Sequence, residues 1–124
     1  MTDPTKANIR VIFALWLVHF TGDLYGSFVS PLLPVFADMF TLSLTQVGLL
    51  AGIHRFLMFI VQPIAGYFAD HYRTRFFILG GPILSLVFIP LVGVAPSFLA
   101  LILFVCLGSI GQSMFHPPVA GMIA

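Results

Sequence analysis

A few ionisable side chains interrupt long apolar runs in this sequence, and they are the residues best suited to carry chemistry. His19 and Asp23 lie in the first apolar run, Arg55 lies in the second, and His116 lies near the end of the last. Placing an ionisable group in an apolar environment costs free energy, so a group kept there is a functional candidate. We therefore treat these four residues as candidates for substrate binding and proton coupling.

His19 and Asp23 are four residues apart, so they share one face of a helix. A histidine beside a carboxylate can hold or pass a proton near neutral pH. The structural alternative is a histidine satisfied by a neighbouring helix. His116 precedes Pro117 and Pro118, which we expect to break the last helix. At such a break His116 could bind or gate a substrate, and the structural alternative is a capping or interhelical hydrogen bond.

Asp23 and Arg55 are expected to lie at a similar depth. Asp23 lies roughly 20 Å along the first helix from Arg10, and Arg55 lies roughly 22 Å along the second helix from Asp70. We hypothesise that Asp23 and Arg55 face a common central cavity and interact there, directly or through water. The alternative is a structural ion pair that locks the two helices together.

Signatures of soluble enzymes are absent from the sequence. No glycine-rich phosphate loop is followed by Lys and Ser or Thr. No specific set of Ser, His and Asp can be assembled. The four histidines lie on different predicted spans or loops and lack the spacing of metal ligands. We therefore predict that the chain is not an enzyme and holds neither a cofactor nor a metal.

The composition is that of a membrane protein. Of the 124 residues, 60% are hydrophobic and only 7% are charged, whereas a soluble domain carries roughly 25% charged residues. At roughly 20 residues per span, the chain has room for about four spans. Its formal charge of +1 gives no reason to expect nucleic acid as a partner. We predict an all-α polytopic membrane protein with four transmembrane helices.

The apolar runs and the polar residues between them divide the chain into segments. In order, we predict a cytoplasmic leader at 1–8, a transmembrane helix at 9–31, an external loop at 32–43, a second helix at 44–68, a cytoplasmic loop at 69–75, a third helix at 76–94, an external turn at 95–97, a fourth helix at 98–118 and a truncated continuation at 119–124.

Local signals refine this division. Ser43 and Gln46 form a capping box at the start of the second helix. The sequence Gly80-Gly81-Pro82 and the later Pro90 predict a bent or broken third helix. Pairs of small residues that allow helices to approach closely are Gly48 with Gly52 and Gly108 with Gly111.

The distribution of basic residues predicts the orientation. The two loops expected outside contain no Lys or Arg. The positive-inside rule then places the N-terminus and the loop at 69–75 in the cytoplasm. The basic residues on that side are Lys6, Arg10, Arg73 and Arg75.

Motifs spread over nearly the whole chain point to one family. The loop between the second and third helices reads Gly66-x-x-x-Asp70-x-x-Arg73-x-Arg75. The others are His19-x-x-x-Asp23, Ser43-Leu44-Thr45-Gln46-x-Gly48, Gln62-Pro63-x-x-Gly66-Tyr67-x-x-Asp70 and Gly108-x-x-Gly111-x-x-x-Phe115-His116-Pro117.

Together these motifs closely resemble transporters of the fosmidomycin resistance type within the major facilitator superfamily. The resemblance implies that the chain is the N-terminal part of a six-helix bundle, with a substrate site at the midplane between two such bundles. It also implies a conformational latch on the cytoplasmic side, formed by Gly66, Asp70, Arg73 and Arg75.

The function implied by the resemblance is secondary active transport, with proton-coupled export of a small polar or drug-like molecule by alternating access. The expected partners are the lipid bilayer, the substrate, protons and the remaining helices of the transporter, in the cell (inner) membrane. The alternative is a self-contained four-span protein acting as an oligomer, either a small multidrug-type transporter or a membrane assembly subunit. Small multidrug-type transporters centre on a membrane glutamate, and this sequence contains no glutamate.

Overall fold

The structure is a computed structural model that describes the backbone of residues 9–72 and 74–123, and the side chains of residues 9–72 and 75–116. The predicted leader at 1–8 and Arg73 lie outside the described residues, as do the side chains of the continuation at 119–124. The helices are α1 (Ile9–Ser27), α2 (Val29–Met39), α3 (Leu44–His71), α4 (Thr74–Val92) and α5 (Phe98–Ile123).

Four stretches of the described chain are long and apolar enough to cross a membrane. They are Ile9–Met39, which contains α1 and α2, together with Leu44–His71, Arg75–Val92 and Phe98–His116. The all-helical, four-span fold class predicted from the sequence is confirmed. The helix ends differ from the prediction at several places.

The first span extends well beyond its predicted end at residue 31. Residues 32–39 were expected in an external loop, but they belong to α2. A proline cannot donate a backbone hydrogen bond and its ring clashes with the carbonyl four residues earlier. For Pro31 that carbonyl belongs to Ser27, where α1 ends. The proline therefore interrupts the helix one turn before itself, and the chain resumes as α2 rather than as a loop.

The predicted capping box begins α3. The Oγ of Ser43 accepts a hydrogen bond from the backbone N–H of Gln46, and the Gln46 side chain accepts one from the backbone N–H of Ser43. The helix then continues to His71, and α4 begins at Thr74. The cytoplasmic loop predicted at 69–75 is therefore shorter than expected, because helical backbone extends into it from both sides.

Prolines inside the later helices do not end them. α4 continues through Pro82 and Pro90, so the predicted break is absent, and a bend at these prolines stays a prediction. α5 continues to Ile123, through Pro117 and Pro118, where the sequence predicts a break and an end at 118. Membrane helices tolerate proline because neighbouring groups and local adjustments satisfy the freed carbonyls.

α5 forms the centre of the bundle. It packs along both α3 and α4, and α1 lies against α4 and α5. Its residues Leu101, Val105 and Phe115 are fully buried. The larger apolar cluster also contains Phe36 of α2 and Leu50 of α3. This arrangement brings residues 19–26 of α1 against residues 112–116 of α5, and the candidate site lies there.

Candidate functional site

His19, Asp23 and His116 converge where α1 meets α5. One carboxylate oxygen of Asp23 lies 3.2 Å from the Nε2 of His19, and the other lies 3.3 Å from the Nε2 of His116. The two imidazole rings meet edge to face, with their centroids 4.8 Å apart. The carboxylate is thus held between two histidines from different helices.

α1 places two of the three side chains. His19 and Asp23 are one helical turn apart, so the predicted shared face brings them into contact. His116 arrives from α5, and its place depends on how closely the two helices approach. The predicted helix break at His116 is absent, so this residue lies within a helix rather than at its end.

Small residues on α1 permit the close approach. A Cβ added at Gly22 would come within 2.6 Å of the Phe115 ring, and one added at Gly26 would overlap the side-chain amide of Gln112. The Gln112 side chain donates a hydrogen bond of 3.2 Å to the carbonyl of Gly22. Larger side chains on this face of α1 would separate His116 from Asp23.

Phe115 forms an apolar wall beside the cluster. Its ring is fully buried, stacks on His116 at 4.6 Å between centroids, and meets His19 edge to face at 5.6 Å. These contacts restrict the rotamers of both histidines. The cluster therefore has a rigid side, formed by α1, α5 and this ring.

The other side of the cluster is open. The side chains of Asp23, His19 and His116 are 50%, 42% and 21% exposed. A small apolar cavity of about 170 Å³ lies between α1 and α4, lined by Gly22, Thr21 and four apolar residues, and none of the three cluster residues lines it. Such a cluster can exchange a proton and can also meet a ligand from the open side.

Arg55 does not join this cluster. Among the described residues, the ion pairs of Asp23 are those with His19 and His116. Arg55 lies on the exposed side of α3. The hypothesised direct contact between Asp23 and Arg55 is therefore absent, since equal depth along two helices does not fix the direction in which the side chains point. Arg55 remains a candidate for a separate role.

The neighbouring His54 points into the bundle. Its Nδ1 lies 2.7 Å from the Oγ of Ser109 on α5, and both side chains are buried. This contact joins α3 to α5. His71 is exposed and bonds the carbonyl of Tyr67 within its own helix.

The described latch residues lie around the connection between α3 and α4. Gly66 is half-buried within α3, Asp70 is exposed in its last turn, and Arg75 is exposed in the first turn of α4. These residues therefore lie in the helix ends that flank the connection, and their role as a latch stays a prediction.

Sequence reasoning missed the meeting of His116 with the first-helix pair. It also missed the contacts of Gln112 with Gly22 and of Phe115 with His19, which join the two helices. The pair Gly108 and Gly111 was a partial signal, because a glycine-rich face of α5 indicates close packing. The histidines lack metal-ligand spacing along the chain, but spacing along the chain does not reveal ligands that meet only when helices pack together.

The profile of the Major Facilitator Superfamily matches residues 15–124. A relative from Escherichia coli (strain K12), the fosmidomycin resistance protein, is 27% identical over 116 residues. The match covers 94% of this chain and 29% of that protein. An uncharacterised transporter of the same type from Bacillus subtilis (strain 168) is 22% identical, with 92% of this chain and 28% of the relative covered.

A third relative, an uncharacterised transporter of this type from Methanocaldococcus jannaschii, is 26% identical over 86% of this chain and 27% of its own length. The chain therefore spans less than a third of the length of the curated relatives it matches. No solved structure matches it significantly.

Proposed function

Since this chain belongs to the Major Facilitator Superfamily, we propose that it works as part of a secondary active transporter that exports a small polar or drug-like molecule in exchange for protons. The family consists of membrane transporters rather than enzymes. In the proposal, the remaining helices of the transporter complete a binding site at the midplane, and alternating access moves the substrate. The N-terminus faces the cytoplasm of a cell whose inner membrane holds the protein.

The observation that carries this proposal is the carboxylate held between two histidines inside an apolar bundle. Asp23 contacts both His19 and His116, and all three side chains remain partly accessible. Ionisable groups in membrane segments are costly, and they commonly serve ion pathways and proton relays. A proton bound here would neutralise the carboxylate or charge a histidine, and either change alters the attraction between α1 and α5.

Arg55 and the latch take separate roles in the proposal. Arg55 presents a positive charge on the exposed side of α3, where a polar substrate could meet it. The latch at Gly66, Asp70, Arg73 and Arg75 would hold the cytoplasmic ends together in one state and release them in the other. The four-span alternative is not favoured, because the chain matches the larger family over nearly its whole length.

Asp23→Asn is the variant that tests the proposal. One relative is named for resistance to fosmidomycin, so fosmidomycin is the first compound to try. The full transporter is expressed in a sensitive bacterial strain, and growth inhibition and substrate-dependent proton movement in membrane vesicles are measured. We expect the wild type to raise resistance and move protons, and Asp23→Asn to remove both effects.

Asp38→Asn is the matched control, because it makes the same chemical change at an exposed position near the end of α2. It should leave resistance and proton movement unchanged. If Asp23→Asn transports like the wild type at equal expression, the role of the cluster in coupling is refuted. If transport persists without proton movement, the protein is a carrier of another kind.

A further inference from the structure

We propose that His19, Asp23 and His116 form a binding site for a divalent transition-metal ion, with Zn²⁺ as the best match. The proposal does not depend on the proposed transport function. It rests on the ligand atoms of the three side chains, which all lie within 4.8 Å of one another.

The spacing suits a tetrahedral ion. Zinc binds histidine nitrogen and carboxylate oxygen at about 2.0–2.2 Å, which puts neighbouring ligands of a tetrahedron about 3.3 Å apart. The measured separations from Asp23 are 3.2 Å to the Nε2 of His19 and 3.3 Å to the Nε2 of His116. These two distances end on different oxygens of the carboxylate, so one edge has the required length whichever oxygen serves as the ligand. The ligand atoms of all three side chains lie within 4.8 Å of one another, so side-chain rotation has to shorten the remaining edges when an ion enters.

The ligand types narrow the choice of ion. Two imidazoles and one carboxylate form a ligand set found in catalytic zinc sites, in which a water or another ligand takes the fourth position. Magnesium and calcium prefer sites built from oxygen atoms. The exposed half of Asp23 leaves the fourth position open to solvent or a ligand.

The helices hold the ligands in place before any ion arrives. His19 and Asp23 are fixed one turn apart on α1. His116 is fixed on α5 by stacking with Phe115, and the Gln112 bond to the carbonyl of Gly22 joins the two helices. A preformed set of this kind binds an ion without the cost of ordering a flexible loop.

Metal would displace the present contacts within the cluster. The Nε2 atoms of His19 and His116 each contact a carboxylate oxygen of Asp23. A bound ion would lie between these nitrogens and the carboxylate and would replace the direct contacts. Binding requires neutral imidazoles and an ionised carboxylate, so a metal and a proton compete for the same atoms. An ion bound here would also tie α1 to α5.

The test measures metal binding directly in the purified transporter, in detergent, with any affinity tag removed. Cobalt(II) is titrated while its visible absorption is followed, because tetrahedral coordination gives a strong absorption band. Zinc is then added to displace it. We expect one site per chain, and at least about a tenfold loss of affinity in each of His19→Gln, Asp23→Asn and His116→Gln, because each removes one ligand.

His71→Gln is the matched control, since it removes an exposed histidine outside the cluster. It should bind as the wild type does. The proposal is overturned if the wild type shows no tetrahedral cobalt spectrum, or if His116→Gln retains wild-type affinity. It is also overturned if His71→Gln weakens binding as much as the cluster variants do. Since the readout is binding alone, a failure of the transport proposal leaves this result interpretable.

Discussion

The hydrogen bonds of Ser109 determine which ring nitrogen of His54 carries a proton. The hydroxyl of Ser109 donates to the carbonyl of Val105 at 2.6 Å, so its oxygen can only accept from His54. The Nδ1 of His54 must therefore carry the proton. Removing the Ser109 hydroxyl would leave that N–H buried without an acceptor, and such an orphan donor costs free energy.

We predict that Ser109→Ala lowers the unfolding free energy by about 1 kcal/mol, the usual size of an interhelical hydrogen bond in membranes. Thermal unfolding in detergent measures it. Ser113→Ala is the matched control. Ser113 is equally buried on the same helix, but its hydroxyl bonds only the Ser109 carbonyl of its own helix. Equal loss in both variants would show that burial of the hydroxyl, rather than the bond to His54, sets stability.

The two contacts of Asp23 differ in whether the sequence alone can predict them. The contact of His19 with Asp23 follows from the helical period alone, and the structure has it. The arrival of His116 depends on the distance and rotation between α1 and α5. Those are set by the glycines of α1 and the Phe115 ring, so no spacing along the chain encodes them. For the same reason, an expected equal depth could not predict whether Asp23 and Arg55 form an ion pair.

Helices α4 and α5 are joined along faces of small residues. A Cβ added at Gly111 would lie 2.6 Å from the backbone nitrogen of Ser85 and 2.7 Å from the carbonyl oxygen of Gly81. Both are backbone atoms, which cannot move aside as a flexible side chain can. The predicted packing role of Gly108 and Gly111 is therefore confirmed. Gly48 was expected to have the same role, yet a Cβ there would touch nothing within 4 Å.

We predict that Gly111→Ala lowers stability by about 1–3 kcal/mol, the usual cost of overpacking a close contact. Gly48→Ala supplies the control, with the same added methyl group in open space, and should unfold at the wild-type temperature or above it. Unfolding temperatures in one detergent compare the two. A Gly111→Ala protein as stable as Gly48→Ala would mean that α4 and α5 do not approach as closely as described.

The sequence predicts the long apolar helices, but it does not predict the residues at which they begin and end. The four spans follow from composition and length, because each contains a long stretch of high mean hydropathy with at most two Asp, Glu, Lys or Arg residues. The ends depend on how each proline is accommodated. Pro31 lies in the first turn of α2, directly after the interruption that follows α1, whereas Pro82 and Pro90 lie inside a continuous helix. The sequence pattern does not distinguish these two cases.

The whole bundle has two distinct ends. Leu42 lies in the connection between α2 and α3, and Ala95 lies in the connection between α4 and α5. Both pack in the same apolar cluster, so these connections share one end. Neither connection contains Lys or Arg. Arg75, at the start of α4, is at the opposite end. From the positive-inside rule we predict that the end with Arg75 faces the cytoplasm.

Cysteine labelling tests this orientation, because Cys106→Ala removes the one native cysteine. In that background, Ser97→Cys places a thiol in the connection before α5, and Tyr72→Cys places one between α3 and α4; both positions are exposed. We predict that a membrane-impermeant maleimide labels Ser97→Cys in intact cells and labels Tyr72→Cys only after the membrane is permeabilised. The reverse pattern would invert the orientation. Labelling of both positions in intact cells would rule out two connections on opposite sides of the membrane, and with them the four-span arrangement on which the proposed transport depends.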